Sequence, residues 1–176
     1  MLFRSVSTAE PDPVAAKKEL EGPDAGRATD LSLQMEMWRQ GGDAPSSKVL
    51  LEALENRSEF ERGGLVVIIN ALADLGVKQS AGTLINLMGE TSDGNLLSVL
   101  CKALAELGVE QAAPNLIRLL VDARPGVRRA AARALGRLRV PVALAELERL
   151  ASEDEQESVK LAARAASLLV KARRQT

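Results

Sequence analysis

The chain repeats itself. Ala71-Leu72-Ala73-Asp74-Leu75-Gly76-Val77 returns as Ala103-Leu104-Ala105-Glu106-Leu107-Gly108-Val109, and again as Ala134-Leu135-Gly136-Arg137-Leu138-Arg139-Val140. The steps are 32 and then 31 residues. A second match follows each copy: Thr83-Leu84-Ile85-Asn86-Leu87, Asn115-Leu116-Ile117-Arg118-Leu119 and Glu146-Leu147-Glu148-Arg149-Leu150. Val127-Arg128-Arg129-Ala130-Ala131 recurs as Val159-Lys160-Leu161-Ala162-Ala163, and Val49 to Leu54 supplies a leading second half. Two helical patterns per period of about 31 residues mean stacked helical hairpins. One such unit cannot bury its apolar face alone, so neighbouring units must share a continuous core.

The spacing predicts helices near 46–56, 62–75, 78–90, 93–107, 110–122, 125–138, 141–152 and 155–172. Turn residues mark the connections, as in Ser92-Asp93-Gly94 and Arg124-Pro125-Gly126. Pro141 suits a first helical turn, and Pro114 requires its helix to begin no earlier than about residue 110. The leucines at 72, 75, 84, 87, 104, 107, 116, 119, 135, 138, 147 and 150 form the expected core. Ala71, Ala103, Ala134 and Ala166 are expected where helices approach closely. Aromatic residues make up only 2% of the chain, which argues against a β-sandwich or barrel.

Before the repeats, residues 1–28 read as a disordered tail, broken by Pro11, Pro13, Pro23, Gly22 and Gly26. Leu2, Phe3 and Val6 are its apolar anchors for a segment that orders on a partner. Residues 29–45 read as a capping helix and linker, with Asp30 at the helix start and Gly41-Gly42 at its end. Leu31, Met35 and Trp38 share one face of that helix. Residues 173–176 form a short C-terminal tail.

Histidine is absent and Cys101 is the one cysteine. Thiolate and imidazole zinc sites, a Ser-His-Asp triad and a disulfide framework are therefore excluded. Cys101, in an apolar stretch, is expected as a packing residue. No phosphate-binding glycine loop occurs, and paired carboxylates occur only in the run Glu153-Asp154-Glu155. No catalytic residue, cofactor or metal is expected, and the chain reads as a non-enzyme. No bilayer-spanning apolar run or secretory signal is visible, so a cytoplasmic setting without membrane contact is expected.

The stretch Asp122-Ala-Arg-Pro-Gly-Val127-Arg128-Arg-Ala-Ala-Ala-Arg-Ala134-Leu135-Gly136 resembles HEAT repeats, in particular the short bacterial, phycobilisome-lyase-like type. Gln111-Ala-Ala-Pro114-Asn-Leu116-Ile-Arg-Leu119-Leu resembles the second helix of the same family. The resemblance spans about residues 46–172. It implies an all-α, right-handed α-solenoid of about four HEAT-like hairpins, with second helices lining the concave face. Valine stands at 77 and 109, where the family often carries an acid after Leu-Gly, which weighs against a regular inter-repeat ladder of Asp–Arg contacts.

Function is expected on exposed ridges. The register aligns Glu52, Asn86, Arg118 and Arg149 on one second-helix ridge, and Thr83, Asn115 and Glu146 on a parallel one. These suit capture of an extended or helical protein segment. On the third first-helix, Arg129, Arg133 and Arg137 recur every four residues, a stripe fit for an anionic partner. The acidic block at 146–157 is expected to neutralise that stripe and repel phosphate. On the last helix Leu161, Ala165 and Leu169 match the arginines, with Leu168 beside them. That apolar stripe calls for cover by a partner, a second copy of the chain or the N-terminal tail. The resulting expectation is a protein-binding adaptor or regulator. The resemblance implies partners such as small GTPases or assembly factors. The alternatives are a nucleic-acid-binding HEAT-like protein, disfavoured by the net charge of −1 and the lack of stacking aromatics, and a lyase-like maturation chaperone.

Overall fold

The computed structural model describes residues 45–60 and 62–173; the expected tail, the capping helix with Leu31, Met35 and Trp38, and residues 174–176 lie outside them. Among the described residues there are eight α-helices and no strand. They are α1 (Ser47–Glu55), α2 (Arg62–Asp74), α3 (Ala81–Glu90), α4 (Gly94–Glu106), α5 (Ala113–Arg118), α6 (Pro125–Leu138), α7 (Leu144–Glu153) and α8 (Glu157–Arg173). First helices stack on first helices, α2 on α4, α4 on α6 and α6 on α8. Each second helix packs against the first helix that follows it: α1 on α2, α3 on α4, α5 on α6 and α7 on α8. This is the expected all-α solenoid, with α1 as a leading second half and α8 as a closing first half.

The turn from first to second helix is made the same way three times. Val77 N–H donates to Leu72 C=O at 2.9 Å and Gly76 N–H to Ala73 C=O at 3.0 Å. Val109 and Gly108 do the same onto Leu104 and Ala105, and Val140 and Arg139 onto Leu135 and Gly136. This paired bonding closes a helix through a left-handed residue and buries an apolar side chain just beyond it. Val77, Val109 and Val140 are accordingly buried, which is why valine rather than an acid follows the turn. Gly76 and Gly108 hold φ of 66° and 70°; Arg139 holds φ 51° without being glycine. The second helices α3, α5 and α7 then open on a 3₁₀ turn, at Lys78–Ser80, Glu110–Ala112 and Pro141–Ala143. Ser80, Ala112 and Ala143 are fully buried there.

The core follows the leucine register with two corrections. Leu75 is 37% exposed, whereas its counterparts Leu107 and Leu138 are buried. Among the described residues, α2 has a stacked first helix on one side, while α4 and α6 have one on both. Leu119 is half-buried and Leu120 takes the core place. The α-helical part of α5 ends at Arg118 and tightens into a 3₁₀ turn over Leu119–Val121, which changes the angle at which successive side chains point. Ala71, Ala103, Ala134 and Ala166 are all buried. The tightest helix approach lies beside them. A Cβ at Gly136 would stand 2.7 Å from both Cα and Cβ of Ala166, joining α6 to α8 almost backbone to backbone.

The connections from second to first helix carry an ionic seam at positions outside the Leu-Gly motif. Asp93 caps α4, its Oδ1 accepting from Asn95 and Leu96 N–H, and pairs with Arg62 at 2.9 Å. Asp122 accepts from Arg124 N–H and pairs with the Arg124 side chain, which also donates to Ser92 C=O. Asp154 accepts from Gln156 N–H and from Arg128 Nε and Nη2, the latter two at 2.6 and 3.0 Å. Arg128 further donates to Asp122 and Ala123 C=O. Inter-repeat Asp–Arg contacts therefore exist, built on the aspartates that open the first helices.

Candidate docking surface

The first helices present one outward face whose chemistry changes along the stack. On α4 its positions are Ser98, Lys102 and Glu106, the last two 4.0 Å apart. On α6 they are Arg129, Arg133 and Arg137, all exposed and without an ion-pair partner among the described residues. On α8 they are Leu161, Ala165 and Leu169, all exposed. Two open grooves flank the arginine row. The groove between α4 and α6, about 510 Å³, lies between Asn95, Ser98, Lys102 and Glu106 on one wall and the three arginines on the other. One Glu106 oxygen there is buried without a hydrogen-bond partner. The groove between α6 and α8, about 670 Å³, has the arginines and Arg139 on one wall, Leu161 and Leu169 on the other, and Ala162, Ala165, Ala166 and Gly136 between them.

The acidic block at 146–157 does not neutralise this row, contrary to expectation. Glu146 and Glu153 hold Arg149, at 2.8 and 3.5 Å. Glu148 holds Lys171 at 2.7 Å, Glu157 lies 3.8 Å from Arg164, and Asp154 is engaged by Arg128. The block's ionic partners lie on α7, on α8 and at Arg128.

The last helix keeps its apolar stripe in the open: Leu161 is 56%, Leu168 66% and Leu169 44% exposed. Leu161 and Leu169 face the α6–α8 groove, while Leu168 stands outside its lining. On the second-helix side, Glu52, Asn86, Arg118 and Arg149 are exposed at matching positions of α1, α3, α5 and α7; Thr83, Asn115 and Glu146 are half-buried. Asn115 and Arg118 share a shallow groove of about 260 Å³ with Asp122 and Arg124. Glu52 lies 3.8 Å from Lys48, and Arg149 is held by its own helix, so two of the three charged ridge residues are internally paired.

Electrostatics separate structural from available groups. The Arg128 hydrogen bonds hold the Asp154 carboxyl below the usual aspartate value, and Arg124 does the same for Asp122. The Leu96 N–H is the leading cause for Asp93. Burial pushes the Cys101 thiol up to about 12, so it stays protonated and serves as packing. Two features escaped the sequence reading. Arg139 joins the groove because it stands where two other repeats have glycine, a mismatch visible in the aligned motifs. The aspartate seam was hidden because its spacings, 29 and then 32 residues, do not follow the leucine register.

Among the described residues no cluster of potential metal ligands occurs, and no helix is long and apolar enough to cross a membrane. No curated protein matches the chain. A family model for HEAT repeats matches residues 83–167, from α3 into α8. The stretch that this model matches is similar to HEAT repeats and includes the arginine row together with most of the lining of the two grooves that flank it.

Proposed function

We propose that the chain is a non-catalytic adaptor that binds a protein partner through its first-helix face. The observation that carries this reading is the open leucine stripe of α8, with Leu161, Leu168 and Leu169 each more than two-fifths exposed. A contiguous apolar patch on a protein surface favours cover by another macromolecule. HEAT repeats commonly serve protein–protein interaction, which supports the same reading. The short bacterial, lyase-like repeat type belongs to this proposal, as does a small GTPase or an assembly factor as the partner class. The second-helix ridge at Asn86, Arg118 and Arg149 is the competing surface.

Affinity purification from the cells that make the chain tests this. Leu161→Glu with Leu168→Glu is expected to abolish capture of a stoichiometric partner while leaving helicity unchanged, since both side chains are exposed. Arg118→Glu with Arg149→Glu is expected to leave capture intact. Light scattering on the same proteins separates a foreign partner from a second copy. A mass that halves in the leucine variant would replace the adaptor reading by self-association.

A further inference from the structure

The groove between α6 and α8 has two unlike walls that repeat in step. Arg129, Arg133 and Arg137 stand one above another on α6, and Leu161, Ala165 and Leu169 do so on α8. Residues four apart on a helix are separated by about 6 Å along its axis, so each row spans about 12 Å. The floor between them is glycine and alanine, which leaves room for a third segment to approach closely. We infer that this groove receives an acidic amphipathic helix of the partner protein, apolar side chains against α8 and carboxylates on the α6 arginines. The inference rests on the adaptor reading and gives its partner a chemistry.

Three observations carry it. The first is charge. Neighbouring cations are engaged: Arg128 by Asp154, Arg124 by Asp122, Arg149 by Glu146 and Lys171 by Glu148. Among the described residues Arg129, Arg133 and Arg137 have no ion-pair partner, so their charge is open to carboxylates from outside. The second is Arg139. Two repeats place glycine at this left-handed position, and a non-glycine residue there costs about 1 kcal/mol or more. The third repeat instead carries arginine with φ 51°, and that arginine lines the groove. Strained backbone kept at a surface groove points to use of its side chain.

The third observation bears on what the occupant is not. By the repeat register Ala73, Ala105 and Gly136 align with Leu168. Gly136 is where the next first helix meets α6 backbone to backbone, so Leu168 blocks a second copy from stacking on α8 in that geometry. A leucine wall offers nothing to a phosphate backbone, and a concave groove suits a helix better than a flat lipid surface.

The test is fluorescence anisotropy with the full chain. The probe is a labelled three-turn peptide bearing leucine every fourth residue on one face and glutamate every fourth residue on the adjoining face. The glutamate peptide is expected to bind, more weakly as salt rises. Arg133→Glu with Arg137→Glu is expected to cut affinity about tenfold or more, and Leu161→Ser with Leu169→Ser similarly. Circular dichroism checks that both variants fold. The same peptide with lysine for glutamate, a DNA duplex, and vesicles of phosphatidylcholine with phosphatidylglycerol serve as comparisons. Equal binding of the lysine peptide, or an arginine variant that binds as the wild type does, overturns the assignment. Binding to duplex or vesicles in place of the glutamate peptide also overturns it. A chain that ignores the peptide yet captures its cellular partner overturns the groove assignment and leaves the adaptor reading standing.

Discussion

Arg139 and Gly136, three residues apart, pull in opposite directions. Arg139→Gly relieves a left-handed backbone and is expected to raise stability by about 1 kcal/mol. The same change is expected to weaken the glutamate peptide, so a denaturant melt and an anisotropy titration on one variant separate the two roles. Gly136→Ala puts a methyl 2.7 Å from the Ala166 backbone and must lift α8 away from α6. A loss of about 1–3 kcal/mol is expected in the same melt. Asp154 gives a pH signature. Arg128 holds its folded carboxyl below the ordinary value of 3.8, so the stabilisation is complete above that value and is lost as pH falls through the lowered one. Asp122 and Asp93 carry the same sign. Asp154→Asn leaves the largely buried Arg128 without its anion and is expected to cost about 3 kcal/mol at pH 7. Its deficit against the wild type should shrink at pH 3, as read by thermal unfolding at both values.

At the scale of elements, the leucine-alanine register was enough to mark every described helix to within a few residues. The reason is that both halves of each unit bury one stripe against the next unit, and that stripe is periodic in the residues themselves. What the register missed is local. Leu119 and Leu120 are both leucines, and which one enters the core depends on the helix tightening after Arg118. Leu120→Ala is therefore expected to cost about 3 kcal/mol and Leu119→Ala clearly less, by urea denaturation. Leu75 matches its counterparts in sequence, but among the described residues its helix is stacked on one side where theirs are stacked on both, a difference of position in the stack and not of residue type. The three arginines of α6 and the leucines of α8 were legible as surface rows because they fall opposite a core stripe. That the acidic block would choose other partners was not legible. Ion pairing depends on which side chains the stacked helices bring within reach, as with Lys171 and Glu148.

For the molecule as a whole, the stack converts three small repeats and a closing helix into one patterned face. Arginine precedes leucine along it because α6 and α8 occupy successive places in the same series, so their outward rows run side by side. The second-helix side offers a rival surface whose charges are in part already paired. A photo-cross-linking residue decides between them directly. It is placed at Ala165 in the α6–α8 groove or at Arg118 on the ridge, and activated in the cells that make the chain. Adducts are expected from position 165, suppressed when Arg133→Glu and Arg137→Glu are added, and none from position 118. Adducts from position 118 alone, or from position 165 regardless of the arginines, would contradict the account.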